Sequence, residues 1–125
     1  MDWVEQKSSM RYIVFDEIKK DKDEAQQYLV KKGEMIYCIV GLIEDSRALP
    51  GKKWMQLEIC DKDGKTIGER VSLTPPRYLE VALGLDPEYE QKKVVSTGDF
   101  LAIKYLGRDK DKEGKPYTFK IYYGS

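Results

Sequence analysis

Few residues of this chain have side chains suited to catalysis. The 125-residue sequence contains no histidine, which excludes a serine–histidine or cysteine–histidine nucleophile, a histidine acid or base, and every zinc site that uses histidine. Its two cysteines, Cys38 and Cys60, are too few for a four-thiolate metal site or a disulfide scaffold. We expect both to be small buried hydrophobic side chains. The composition favours a binding protein without enzymatic activity or cofactor.

Two short motifs resemble ligand-binding loops but lack essential residues. Residues 64–66, Gly-Lys-Thr, match the end of a phosphate-binding loop, yet Ile59 stands where that motif needs glycine, and the segment joins two predicted strands. Residues 109–114 place carboxylates at alternate positions before a glycine, as calcium-binding loops do. The twelfth position of that loop is Lys120 rather than glutamate, so we interpret the segment as a solvated charged loop without a metal.

Aromatic residues interleaved with basic residues form the most informative pattern. The chain has nine tyrosines and two tryptophans, several of them beside lysine in predicted strands. Planar rings stack on unpaired bases and cations follow the phosphates, which is the combination that single-stranded nucleic acid requires. Alternation in a strand directs Trp54 and Tyr122 outward. The predicted nucleic-acid contacts are Lys52, Lys53, Trp54, Lys104, Arg108, Lys110, Lys112, Lys115, Lys120 and Tyr122.

Charge is distributed unevenly along a chain whose net charge is zero. Residues 33–90 carry 11 acidic and seven basic side chains, whereas residues 91–125 carry four acidic and eight basic ones. The last third therefore has a net charge of +4. A basic segment is compatible with nucleic acid, although a solvated lysine-rich surface would give the same count.

The elements that must position these residues are mostly strands. Five runs with β-branched and aromatic residues or apolar alternation predict strands, with Gly41 as a bend in the first and Gly64 in a tight hairpin. Leu42 is expected to share a face with Cys38, and Ile67 to point into the core. The five predicted strands are residues 34–44, 53–61, 65–73, 99–107 and 117–123.

Helical signals are short. Thr74 as a cap and Pro75 at the first position predict a helix over 77–83 that Gly84 ends. Near the N-terminus, residues 11–16 have the composition of a strand, and a two-turn helix is predicted over 24–30, capped by Asp23. We expect residues 1–32 to be an extension packed on a domain formed by residues 33–125.

Five strands with one helix between the third and fourth have the element order of the OB-fold, a small Greek-key barrel. The expected fold class is therefore mainly β, with an OB-like five-stranded barrel and an N-terminal strand and helix. An α+β sheet of another topology has the same periodicity and stays open.

The C-terminal third resembles a group of small bacteriophage proteins. It reads Ser-Thr-Gly-Asp-Phe-Leu-Ala-Ile-Lys-Tyr-Leu-Gly over 96–107, followed by a lysine- and glycine-containing loop and Tyr-Thr-Phe-Lys-Ile over 117–121. Those proteins look like OB-fold single-stranded-DNA-binding or replication-accessory proteins. The resemblance implies a phage-encoded protein that acts in replication or recombination, in the cytoplasm of the host.

The sequence therefore predicts a non-catalytic protein that binds single-stranded DNA with little sequence preference, with RNA as another ligand and a replication protein as a further partner. No apolar run approaches the roughly 18 residues of a membrane span, and residues 1–5 do not have the pattern of a signal peptide. The alternative is a protein-binding module, an inhibitor or adaptor of a host or phage protein. Basic residues clustered beside exposed rings would favour DNA, and an exposed apolar patch would favour a protein. The oligomeric state does not follow from the sequence.

Overall fold

The computed structural model describes residues 10–124, and within this range the strands form one seven-stranded sheet. The order across the sheet is β2-β1-β5-β4-β3-β6-β7. One α-helix, α1 (Arg77–Ala82), lies between β5 and β6 along the chain. The strands are β1 (Arg11–Phe15), β2 (Gln27–Val30), β3 (Met35–Asp45), β4 (Lys53–Cys60), β5 (Thr66–Leu73), β6 (Phe100–Arg108) and β7 (Tyr117–Tyr123).

The sheet curls into a half-barrel around one core. Phe15 on β1 and Phe119 on β7 lie five places apart in the strand order, yet their ring centroids are 5.0 Å apart. Tyr105 and Tyr117 pack against the same Phe15 ring at 5.0 and 5.8 Å. These aromatic contacts hold the two sides of the curled sheet together. The prediction of a mainly β fold is confirmed, but the sheet has seven strands rather than five.

Central strands follow the predicted alternation closely. Met55, Leu57 and Ile59 on β4 are 0%, 0% and 4% exposed, as expected for inward positions. Leu101, Ile103 and Tyr105 on β6 are equally buried. β3 pairs antiparallel with both β4 and β6, which places these side chains in one continuous core.

Two side chains lie on a different face from the predicted one because bulges interrupt the period of two. The register of β3 against β4 shifts between Val40 and Ile43, next to Gly41, so that Leu42 is 51% exposed while Ile43 packs against the core. On β5, Ile67 is 64% exposed beside Gly68, whose φ is +79°, where the pairing with β4 also shifts. A one-residue insertion moves the following side chains to the opposite face.

The predicted helix over residues 24–30 is also wrong. The chain forms a single 3-10 turn over Glu24–Gln26 and then β2, which runs parallel to β1. The buried Gln27 amide stabilises this path, since it accepts from the Lys19 N–H at 2.7 Å and donates to the Lys19 carbonyl at 2.8 Å. Pairing with β1 outweighs local helix propensity. The part of the predicted N-terminal extension within residues 1–9 lies outside the described residues.

Helix α1 begins at Arg77, but its N-cap differs from the predicted one. Pro76 is its N-cap and no side chain caps it, so the assignment of Thr74 to this role is wrong. The predicted stop is confirmed, because Gly84 follows the C-cap Leu83 with a φ of +77°. Leu79 and Leu83 are fully buried and anchor the helix to the core. In the described part of the chain, no helix has the length and hydropathy of a membrane span.

Candidate nucleic-acid interface

A pair of lysines occupies the outer face of strands β6 and β7. Lys104 lies directly opposite Lys120, and the neighbouring pair on the same face is Ala102 and Tyr122. Lys120 is exposed, Lys104 is half-buried and Tyr122 is 50% exposed. Neither lysine forms an ion pair with any residue between 10 and 124. We call Lys104, Lys120 and Tyr122 the β6–β7 face.

The next strand leaves the charge of this face uncompensated. On β3, Met35 lies opposite Lys104 and Tyr37 lies opposite Ala102, so neither position supplies a carboxylate. Like charges directly opposite each other destabilise a sheet. The pair nevertheless places two positive charges beside the exposed ring of Tyr122, which suits an anionic ligand with planar groups.

The loop over residues 109–116 is less basic than its lysines suggest. Arg108 stacks over the Tyr117 ring at 4.8 Å and donates from Nε to the Lys115 carbonyl at 2.7 Å. Although Arg108 was predicted to contact nucleic acid, its guanidinium therefore stabilises the conformation of the loop. Lys110 and Lys115 are exposed, but the three acidic residues of the loop offset its cations. The Lys112 side chain extends from the loop to helix α1, where its Nζ donates to the Tyr78 hydroxyl at 3.3 Å. The loop therefore adds little net charge to the β6–β7 face.

Three of the predicted nucleic-acid contacts lie away from the β6–β7 face. Trp54 is half-buried on β4 and lies opposite Glu44, nine positions along β3 from the residue opposite Lys104. That spacing corresponds to about 30 Å along the strand. Lys53 is paired with Asp45 at 2.7 Å, and Lys52 with Glu80 at 3.4 Å. The structure therefore separates Lys52, Lys53 and Trp54 from the β6–β7 face.

A second cluster of aromatic and basic residues was not predicted from the sequence. A groove of about 550 Å³ lies between α1, the following loop and β7, and three cation–ring pairs surround it. Lys112 lies 5.3 Å from the Tyr78 ring centroid, Arg77 lies 5.2 Å from Tyr89, and Lys93 lies 5.4 Å from Tyr123. The members come from a helix, two loops and a strand, so no local spacing could have identified them. We call this the α1–β7 groove.

The cations of the α1–β7 groove differ in how far they are neutralised. Arg77 contacts Asp86 and lies 2.9 Å from Glu80, while Lys93 lies 3.4 Å from Asp99. The pKa of the Asp86 carboxyl is lowered, first by the Glu88 N–H and then by the Arg77 guanidinium. Lys112 has no carboxylate within ion-pair distance among residues 10–124. The groove therefore has one uncompensated cation at the end near the 109–116 loop.

The buried cysteines and the possible metal ligands determine what other chemistry the described residues could support. Burial raises the pKa of the Cys38 thiol to about 12, which leaves it protonated at neutral pH. Both cysteines are buried, as predicted. Within residues 10–124, no three His, Cys, Asp or Glu side chains are grouped closely enough to hold a metal ion. Comparison with family models, curated proteins and solved structures finds no match to this chain.

Proposed function

We propose that this protein binds single-stranded DNA with little sequence preference, without catalysis, and that the β6–β7 face is the contact surface. The observation that carries the proposal is the directly opposed, unpaired Lys104 and Lys120 beside the exposed Tyr122 ring. Two cations at this spacing would contact consecutive phosphates, and the ring would stack on an unpaired base. Stacking of this kind contributes roughly 1–3 kcal/mol per base.

We further propose that the fold is OB-like. Strands β3 to β7 are neighbours in the order β5-β4-β3-β6-β7, and we regard them as an OB-like unit with α1 as its helix. OB-folds bind oligonucleotides on a sheet face flanked by loops, and here the 109–116 loop directly joins β6 to β7. The physiological role proposed on this basis is to protect or present single strands during phage replication or recombination.

Binding should be moderate and sensitive to salt, because the chain has no net charge and the face has only two cations. For two or three phosphate contacts, the logarithm of the binding constant should fall with the logarithm of salt concentration with a slope of about −1.4 to −2. A steeper slope would indicate that more of the distant lysines take part.

Fluorescence anisotropy with a labelled single strand of about 30 nucleotides tests the proposal, with duplex DNA and RNA as competitors. We expect Lys104→Gln with Lys120→Gln to reduce the salt slope, and Tyr122→Ala to weaken binding by roughly tenfold, as loss of one stacked base implies. Lys20→Gln with Lys22→Gln is the matched control, since these exposed lysines lie in the loop between β1 and β2 and do not belong to the β6–β7 face. Its affinity should equal that of the unmodified protein.

Two results would refute the assignment. Absence of binding at low salt would remove nucleic acid as the ligand. Equal losses in the control variant and in the β6–β7 variants would show nonspecific attraction to lysine rather than a defined face.

A further inference from the structure

Within residues 10–124, one side of strand β7 is not covered by another strand. The N–H of Gly124 donates to the Phe100 carbonyl at 2.8 Å, which sets the hydrogen-bonded positions of the β6–β7 ladder at every second residue. Backbone groups at the intervening positions point away from β6. Among residues 10–124, no strand pairs with β7 on that side. The residues with backbone groups on the free edge are Phe119, Ile121 and Tyr123.

The α1–β7 groove includes side chains from this edge. Ile121 and Tyr123 line it from β7, and Tyr78, Val81 and Ala82 line it from α1. Tyr78 and Tyr89 are 39% and 51% exposed, so apolar ring surface is accessible there. Unpaired backbone donors and acceptors thus lie next to an apolar groove.

We propose that the free edge of β7 and the α1–β7 groove bind an extended segment of a partner polypeptide, which adds to the sheet as a further strand. An extended peptide presents N–H and C=O groups at a two-residue repeat of about 6.6–6.8 Å, which matches the free positions of β7. Its alternate side chains enter the groove and confer specificity. A nucleic-acid backbone does not offer this alternation of donors and acceptors.

Charge complementarity defines the partner further. Lys112 is the cation of the groove without a carboxylate partner in the described residues, whereas Arg77 and Lys93 have Asp86 and Asp99. An acidic side chain at the end of the segment near Lys112 would complete the pairing. A second copy of this chain is disfavoured as the partner, because it would bring its own α1 to an edge that already has a helix beside it.

Selection from a phage-displayed library of random decapeptides against the full chain tests the proposal. We expect enriched peptides to alternate apolar residues and to carry an acidic residue at one end. The best peptide is then synthesised in two forms, N-methylated at one set of alternate amides or at the other. One form should lose binding and the other should retain it, because only one set of amides faces β7.

Variants of the protein locate the site. Ile121→Pro removes the free-edge N–H while Ile121→Ala retains it, and we expect the proline variant to bind the peptide roughly tenfold more weakly than the alanine variant. Lys112→Glu should reduce affinity for the acidic peptide, whereas Lys20→Glu, in the loop between β1 and β2, should not. If Ile121→Pro does not fold, the two N-methylated peptides and Lys112→Glu still decide the question.

Three outcomes would overturn the inference. They are a library without enrichment, equal effects of the two methylation patterns, and dimerisation of the full chain that Ile121→Pro abolishes. The last result would identify a second copy as the occupant of the edge. None of these outcomes bears on binding to DNA, which is measured separately.

Discussion

Two tyrosines with buried hydroxyl groups show how the same group can have opposite effects on stability. Tyr105 is fully buried, and its hydroxyl donates to Asp16 Oδ1 at 2.7 Å. The hydroxyl of Tyr123 is also buried, but it has no hydrogen-bond partner in the described part of the chain. A buried polar atom without a partner loses its hydration and regains nothing, whereas a bonded one recovers that cost.

Substitution by phenylalanine should therefore change stability in opposite directions at these sites. We expect Tyr105→Phe to lower the free energy of unfolding by about 1–2 kcal/mol, because it removes a bond to a carboxylate. Tyr123→Phe should raise that energy by up to about 1 kcal/mol. Urea denaturation followed by tryptophan fluorescence measures both. Equal destabilisation of the two variants would show that the Tyr123 hydroxyl has a partner.

Asp99 gives the protein a defined dependence on acid. Its carboxylate accepts from the Ser96 N–H at 2.8 Å and pairs with Lys93, and its pKa is lowered mainly by the Ser96 N–H. Because the folded pKa lies below the unfolded one, the contribution to stability is complete above the unfolded pKa of about 3.9. It is lost as the pH falls through the folded pKa.

We expect the melting temperature to fall below about pH 4, and Asp99→Asn to flatten this dependence while lowering stability at pH 7. Thermal unfolding monitored by circular dichroism between pH 7 and pH 2.5 tests this. Asp63→Asn in the β4–β5 hairpin is a control, since this exposed carboxylate accepts no hydrogen bond within residues 10–124. An unchanged acid profile in Asp99→Asn would contradict the assignment.

At the scale of elements, Glu80 links helix α1 by an ion pair to the loop between β3 and β4. Its side chain is 7% exposed and lies 2.9 Å from Arg77 Nη1 and 3.4 Å from Lys52 Nζ. By contrast, Asp45 and Lys53 form a pair at 2.7 Å with side chains 85% and 40% exposed. Buried carboxylates depend on their partners far more than exposed ones do.

The two ion pairs should therefore differ in their effect on stability. Glu80→Gln should reduce the free energy of unfolding by about 1–2 kcal/mol, since its cationic partners remain partly solvated. Lys53→Gln should change it by less than about 0.5 kcal/mol. Denaturant titration of both variants measures the difference. A larger effect for Lys53→Gln would show that burial does not govern these pairs.

Elements also show where sequence reasoning succeeds and fails. Strand β7 begins and ends at the predicted residues, because its alternation is uninterrupted. Leu42 and Ile67 were misplaced because a bulge is a property of two paired strands and leaves no periodic signal in one of them. Likewise, β2 exists through its pairing with β1, which local helix propensity does not reveal.

The candidate site was predictable to a similar extent. Lys120 and Tyr122 follow from alternation within one strand, and pairing with β6 adds Lys104 to them. Trp54 is remote because the predicted set combined strands whose order in the sheet was not known. The α1–β7 groove depends on where α1 packs, which is a tertiary property.

At the scale of the whole molecule, the reactivity of the two cysteines can be used to measure how the sheet opens. Cys38 is 0% exposed within β3 and Cys60 is 5% exposed at the last residue of β4, and both strands have neighbours on both sides. Cys60 lies opposite Thr66, where the register of β4 and β5 shifts. A thiol reacts as its thiolate once it becomes accessible, so its modification rate measures the opening of the surrounding structure.

We expect Cys60 to be modified at least about tenfold faster than Cys38, because the β4–β5 hairpin can open locally while exposure of Cys38 requires the sheet to separate. The measurement uses Cys38→Ala and Cys60→Ala, each with one remaining thiol, treated with a thiol reagent at pH 8 in increasing urea. The rate for Cys38 should follow global unfolding, and that for Cys60 should depend less on urea. Equal rates with equal urea dependence would mean that the seven strands open as a single unit, with no weaker hairpin.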